Sequence, residues 1–247
     1  MVSRIPNDIF QYSTVSALMA GLATSGPTAS QLQGYGTHGI GTFEKMDGEL
    51  LYIDGQAYQF TSDGHTRAAP PDLSLPFVQV TKFVPEYMTK VSSNLKRDNL
   101  IDLFSAPGGE GGGKNSFIPF TIKGSFRAVH LRVAGPQQHD GQSLSEVAKN
   151  AKQWSLTDVK GTIFGIMSPE WTQGISVAGI HCHFITDPDA DGEVEGGHVR
   201  DFEVADGVEV TWSVTGRYHL GMPRGKQWED LELGTVDQAG IKQAESA

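Results

Sequence analysis

GIHCHFITDPDADGEVEGGH, Gly179 to His198, is the stretch on which the reading of this chain turns. His181 and His183 stand two apart, and a β-strand sends successive side chains to opposite faces, so both imidazoles leave one face. Ile180, Cys182 and Phe184 leave the other and suit a core, which makes the cysteine a small buried hydrophobe rather than a ligand. The Asp-, Pro- and Gly-containing run that follows can reverse the chain, and Gly196-Gly197 lead into His198. This pattern predicts a hairpin that returns a third imidazole to the end where the first two stand. Three imidazoles with a further position open form the donor set of a catalytic zinc site, whereas a structural site is closed by a fourth ligand. The plainer reading is that two histidines on a strand face are half-exposed polar residues in a chain with eight histidines. His38, His65, His130, His139 and His219 sit in no comparable cluster and are read as ordinary polar residues.

Outward from this hairpin the chain reads mainly as strand. Strand-like runs occur at GTIFGIM, ISVAGIHCHFIT, HVRDFEV and VEVTWSV. In GSFRAVHLRV, Val129, Leu131 and Val133 share one face while His130 and Arg132 share the other. Nearer the start, GIGTFEKMDGELLYIDGQAYQF holds Asp47-Gly48 and Asp54-Gly55 between strand-like segments. Asp-Gly suits the positive φ of a type I′ turn, so three short antiparallel strands are expected. Helices are fewer. Val15, Leu18, Met19 and Leu22 follow helical spacing, and Ser143 with Glu146 forms a capping box for a helix running to Trp154. A short helix is expected within Thr81 to Leu95, an apolar piece at Asn99 to Phe104, and a last helix from a Thr235/Gln238 capping box through Ile241 to Glu245.

Composition narrows the possibilities. A chain of 247 residues makes one large domain or two small ones sharing a core. Its 30 glycines and 12 prolines fit a turn-rich protein of many short strands. A net charge of −10 with no Lys/Arg run argues against binding to nucleic acid. No stretch approaches the ~20 apolar residues of a membrane span. Val15 to Ala23 is a poor signal peptide, because Asp8, Gln11 and Tyr12 separate it from Arg4, and a cytoplasmic location is expected. One cysteine excludes an internal disulfide framework and fits a reducing compartment. Gly108, Gly113 and Lys114 nearly spell a phosphate-binding loop, but Asn115 replaces the Ser or Thr and a strand-like run with Pro119 follows where a helix is needed.

The chain resembles the acetolactate decarboxylases. The resemblance is carried by GIGTFEKMDGELLYIDGQAYQF, by the strand ending in Arg132 with VAGPQQ after it, by GTIFGIMSPEW, and by GIHCHFITD…GGHV. It implies an α+β fold of two related sheet-rich halves with a few flanking helices and zinc between them, a homodimer, and conversion of 2-acetolactate to acetoin and carbon dioxide. With the glycine-rich Ser105–Ser116 segment as the join, the halves are residues 1–115 and 116–247, the second carrying the histidine cluster and a tail that packs back on the site. By the same resemblance His181, His183 and His198 are the zinc ligands, and Thr42, Glu49, Arg132 and Glu245 line the site. The chain departs from the family pattern in the extra acidic residues of ADGEVE and in VAGPQQ, where the family tends to have Val-Pro and an aromatic.

The residue types suit that chemistry. A β-keto acid that loses carbon dioxide must place an electron pair on its ketone oxygen, and a dication is a sufficient sink without an organic cofactor. Glu49 and Glu245 are suited to moving the hydroxyl proton, and Arg132 to holding a carboxylate through two parallel hydrogen bonds. An H-x-H pair with a distant third histidine equally suits a zinc-hydroxide hydrolase or hydratase. A cupin-type oxygenase would need a Glu shortly after the pair, where Ile185, Thr186, Asp187 and Pro188 stand. A non-enzymatic zinc-stabilised binding module would have no use for Arg132 and Glu49 beside the metal.

Overall fold

The computed structural model describes residues 5–92, 94–104, 112–233 and 241. In chain order its strands are β1 (Ile9–Tyr12), β2 (His38–Thr42), β3 (Glu49–Ile53), β4 (Gln56–Phe60), β5 (Thr66–Ala68), β6 (Phe77–Thr81) and β7 (Tyr87–Val91). They continue with β8 (Ile118–Val133), β9 (Lys152–Ser168), β10 (Gly179–Thr186), β11 (Gly196–Val204), β12 (Val208–Trp212) and β13 (Tyr218–Gly221). Among the described residues they are accompanied by the short helices α1 (Val15–Met19), α2 (Leu100–Phe104), α3 (Leu144–Ala148) and α4 (Lys226–Glu229). None of the described helices is long and apolar enough to cross a membrane.

The strands form two sheets, in the orders β13-β1-β6-β2-β3-β4-β5 and β11-β10-β9-β8-β12-β7. The architecture is α+β, as expected. Strand β11 also pairs with β8, so β8, β9, β10 and β11 close on themselves around Phe120, Phe126, Cys182, Phe184 and Phe202, all nearly inaccessible to solvent. A second core holds the two sheets together, with Ile9, Ile40, Leu51 and Phe60 of the first meeting Val133, Phe164, Ile166 and Ile185 of the second. Pairing crosses residue 115 in both directions, because β7 joins the second sheet against β12 and β13 joins the first against β1.

Local chemistry accounts for most boundaries. Asp54 and Gly55 both take positive φ, 50° and 83°, which is the I′ geometry that closes β3 onto β4. Asp47-Gly48 does not make a two-residue turn. The connection from β2 to β3 is longer and includes a 3₁₀ turn at Glu44–Met46, with Lys45, Met46 and Gly48 at positive φ. The helix expected within Thr81 to Leu95 is instead the strand β7. Tyr87, Thr89 and Val91 alternate with Met88 and Lys90 in a period of two, and Tyr87 stacks on Trp212 of the neighbouring strand. The Ser143/Glu146 capping box is formed, but α3 ends at Ala148, and Trp154 lies in β9 opposite Leu131. There the long pairing with β8 outweighs helical spacing. The expected last helix falls outside the described residues apart from Ile241, which is helical and buried against Val15, Leu18 and Leu144.

Gly165 shows how tightly β9 and β10 are packed. A Cβ at this position would lie 2.5 Å from the Cβ of Cys182 and 2.6 Å from the Phe120 ring, inside van der Waals contact. Gly165→Ala is therefore expected to lower stability by about 1–3 kcal/mol, read as a lower midpoint in urea unfolding, and an unchanged midpoint would contradict this packing.

Candidate metal centre

The site is assembled by strand register. Antiparallel pairing sets His183 of β10 opposite His198 of β11, and His198 in turn opposite Arg132 of β8. Residues in register share a face, so this row projects its side chains together, with His181 two positions along β10 on the same face. In the facing sheet Thr42 and Glu49 are register partners on β2 and β3. The site lies where these two groups meet.

The three rings stand in a near-equilateral triangle, with centroid separations of 5.1, 5.2 and 5.3 Å. One nitrogen from each lies within 4.8 Å of the others. All three side chains are buried. His183 donates its Nδ1 hydrogen to the Leu50 carbonyl at 2.7 Å, which fixes the tautomer and leaves the Nε2 lone pair facing the triangle. That Nε2 is itself buried and makes no hydrogen bond, with the nearest Glu49 carboxylate oxygen 3.5 Å away. A buried, unprotonated ring nitrogen aimed at two other imidazoles fits a cation and fits little else. The buried His181, His183 and His198 group can therefore hold a metal ion.

Electrostatics favour the ligand form of each ring. Burial is the largest cause in all three cases. It pushes His181 down to about 3, with the Arg132 and Arg97 guanidiniums acting in the same direction. His183 is held well below the usual imidazole range first by burial and then by the His181 ring, against the raising effect of its hydrogen bond to Leu50, and His198 first by burial and then by Arg132. Neutral imidazole is the form that coordinates a metal. Cys182 faces away into the core, and burial raises its thiol to about 11, so it is not a ligand.

Thr42, Glu49 and Arg132 all line a cleft beside His181 and His198. Arg132 is 3% exposed and Glu49 is half-buried, so both charges stand largely out of water. Thr42 donates its hydroxyl hydrogen to the Gly48 carbonyl at 2.8 Å, which places it as a support for the turn that presents Glu49. Glu245 lies outside the described residues. Among the other histidines, His38 is buried against Phe83 and Phe164, and His130 is bonded to Ser155. Two features of the site carry no residue-type signal. The Leu50 carbonyl is a backbone group, and the apolar wall of Val15, Leu18, Leu144 and Val177 reads in sequence as ordinary core.

A family model for alpha-acetolactate decarboxylase matches residues 9–235 of this chain. The chain is 36% identical over 207 residues to an alpha-acetolactate decarboxylase of Lactococcus lactis subsp. cremoris, an alignment covering 82% of this chain and 83% of the relative. It is 34% identical to that of Klebsiella aerogenes over 81% of this chain and 74% of the relative. The crystal structure of alpha-acetolactate decarboxylase from Bacillus subtilis superposes with a TM-score of 0.87 at 30% identity, covering 97% of this chain and all of that one.

The buried imidazoles make stability depend on pH. Unfolded histidines take up protons near pH 6.5, whereas the folded rings stay neutral until far lower, His181 until about 3. Below about pH 6.5 the unfolded chain thus binds more protons than the folded one, and stability that is fully present above that pH is lost as the pH falls. The metal-free protein is expected to melt at progressively lower temperature from pH 7 to pH 5, with a shallower dependence in His181→Asn. A pH-independent melting temperature over that range would contradict the assignment.

Proposed function

The chain belongs to the alpha-acetolactate decarboxylase family and is an acetolactate decarboxylase, and from this premise we propose that the reaction runs at the His181, His183 and His198 centre with zinc as the bound ion. The observation that carries this reading is the buried Nε2 of His183, which has no hydrogen bond and faces the other two rings beside a guanidinium and a carboxylate. When bound, the ion supplies Lewis-acid polarisation of the substrate ketone, the electron sink that carbon dioxide loss requires.

The protein's own side chains divide the remaining work. Arg132, a buried guanidinium lining the cleft, binds the substrate carboxylate and orients the bond to be broken. As that bond breaks, its electron pair moves onto the carbon skeleton and the ketone oxygen. The one proton that the reaction consumes overall comes from solvent and is added at carbon to give acetoin. Arg132 remains protonated throughout and acts electrostatically, because a guanidinium is a very weak acid. Glu49 accepts and returns the hydroxyl proton, held in position by the turn that Thr42 braces. Glu245 joins these groups by resemblance to the family. Val15, Leu18, Leu144 and Val177 receive the methyl groups and keep water from the reacting carbon.

A hydrolase using the same three imidazoles would need a water held for attack. The apolar wall and the guanidinium favour a small anionic keto acid instead. A homodimer belongs to the same reading. Strand β13 ends the first sheet, Leu220 on it and Met222 just after it are exposed, and exposed Trp171 meets Phe117, which stacks on Tyr218 of β13. The buried free thiol of Cys182 accords with a cytoplasmic location.

Purified protein is expected to release carbon dioxide from racemic 2-acetolactate and accumulate acetoin, to lose this on metal removal, and to regain it with added zinc. His183→Ala should abolish turnover while leaving the far-ultraviolet circular dichroism spectrum unchanged. Glu49→Gln should reduce kcat by roughly 100-fold or more with the metal content intact. Full turnover after verified metal removal would overturn the mechanism.

A further inference from the structure

We propose that Arg97 is a positioning residue for the metal centre, gripping strand β10 at the Ile180 carbonyl, immediately before His181. The argument begins with an interruption in strand pairing. Strand β10 pairs with β9 along its whole length, from Gly179 opposite Ser168 to Thr186 opposite Gly161. Its pairing with β11 covers only His183 to Ile185, because at His198 strand β11 passes over to β8. Among the described residues, the segment carrying His181 therefore has a strand neighbour on one side only.

Arg97 supplies a substitute. It belongs to the 3₁₀ turn Arg97–Asn99 that precedes α2, and its Nη2 donates to the Ile180 carbonyl at 2.6 Å. Its positive charge also acts on the Cys182 thiol, opposing the rise that burial causes. Ile180 immediately precedes His181, so this cation fixes the backbone of strand β10 at the residue before the ligand. Hydrogen bonds from an ionised donor are shorter and stronger than neutral ones. The turn is anchored in its turn, since Leu95 and Leu100, on either side of Arg97 in sequence, are buried in the same core as Cys182. Arg97 is not among the residues lining the cleft, and its role is therefore distinct from that of Arg132.

This inference rests on reading the three histidines as a metal centre, and cobalt(II) separates the two claims. The metal-free full-length protein is titrated with cobalt(II), following the visible absorption of the bound ion, as wild type, Arg97→Met and Arg97→Lys. Wild type is expected to bind with a defined visible band. Arg97→Met should weaken binding by roughly 10–100-fold and alter the band, while Arg97→Lys, which retains one donor, should recover part of the loss. Melting curves of the metal-free variants separate this from general destabilisation, which would not change the band of the bound ion. If Arg97→Met does not fold, Arg97→Gln is judged by the same criteria. A folded variant whose cobalt affinity and spectrum stay within twofold of wild type overturns the role of Arg97, whereas a wild type that binds no cobalt overturns the metal centre itself.

Discussion

Strand β11 has to serve two neighbours, and the site depends on that division. Near its start it pairs with β10, and from His198 onward with β8, so that one residue is opposite His183 on one side and Arg132 on the other. Backbone hydrogen bonding of this kind sets register to within a residue, and a shift of one residue would turn every side chain to the other face. Two imidazoles and a guanidinium are thereby brought together by pairing that does not depend on their own chemistry. Closure of the four strands around a core of phenylalanines then makes the row rigid, because densely packed interiors leave side chains few alternative positions.

The facing sheet completes the centre. Three buried imidazoles on two paired strands would be costly to desolvate if the rings had to carry charge, and burial resolves this by keeping them neutral. The first sheet contributes the Leu50 carbonyl, which orients His183, and next to it Glu49, whose carboxylate stands beside the same ring. One short strand thus supplies a backbone acceptor and a side-chain acid from consecutive residues, which project in different directions. Opposite charges set close together in a half-buried cleft interact more strongly than they would in water. The apolar helices α1 and α3 border that cleft and reinforce the effect by limiting solvent.

Much of this was legible in the amino-acid sequence. The period of two in GIHCHF separated His181 and His183 from Cys182, because a strand alternates faces whatever sheet it joins. The Asp54-Gly55 turn followed from the positive φ that this pair tolerates, and the Ser143/Glu146 cap from local hydrogen bonding. Where local signals competed with long-range pairing, pairing prevailed. Tyr87–Val91 became an edge strand against β12, and Trp154 was drawn into β9 although its spacing suited a helix.

The sequence by itself therefore determined which residues face together along each strand, where the tight turn of β3 and β4 falls, and which residue types suit a metal. Tertiary structure alone decided which strands lie side by side, and with them the row of Arg132, His198 and His183. It also brought Arg97 to the Ile180 carbonyl of β10 and the Leu50 carbonyl to His183. The physical reason is that inter-strand hydrogen bonds join backbone groups common to nearly every residue. Side-chain identity cannot specify a partner far along the chain until the cores have packed and fixed the register.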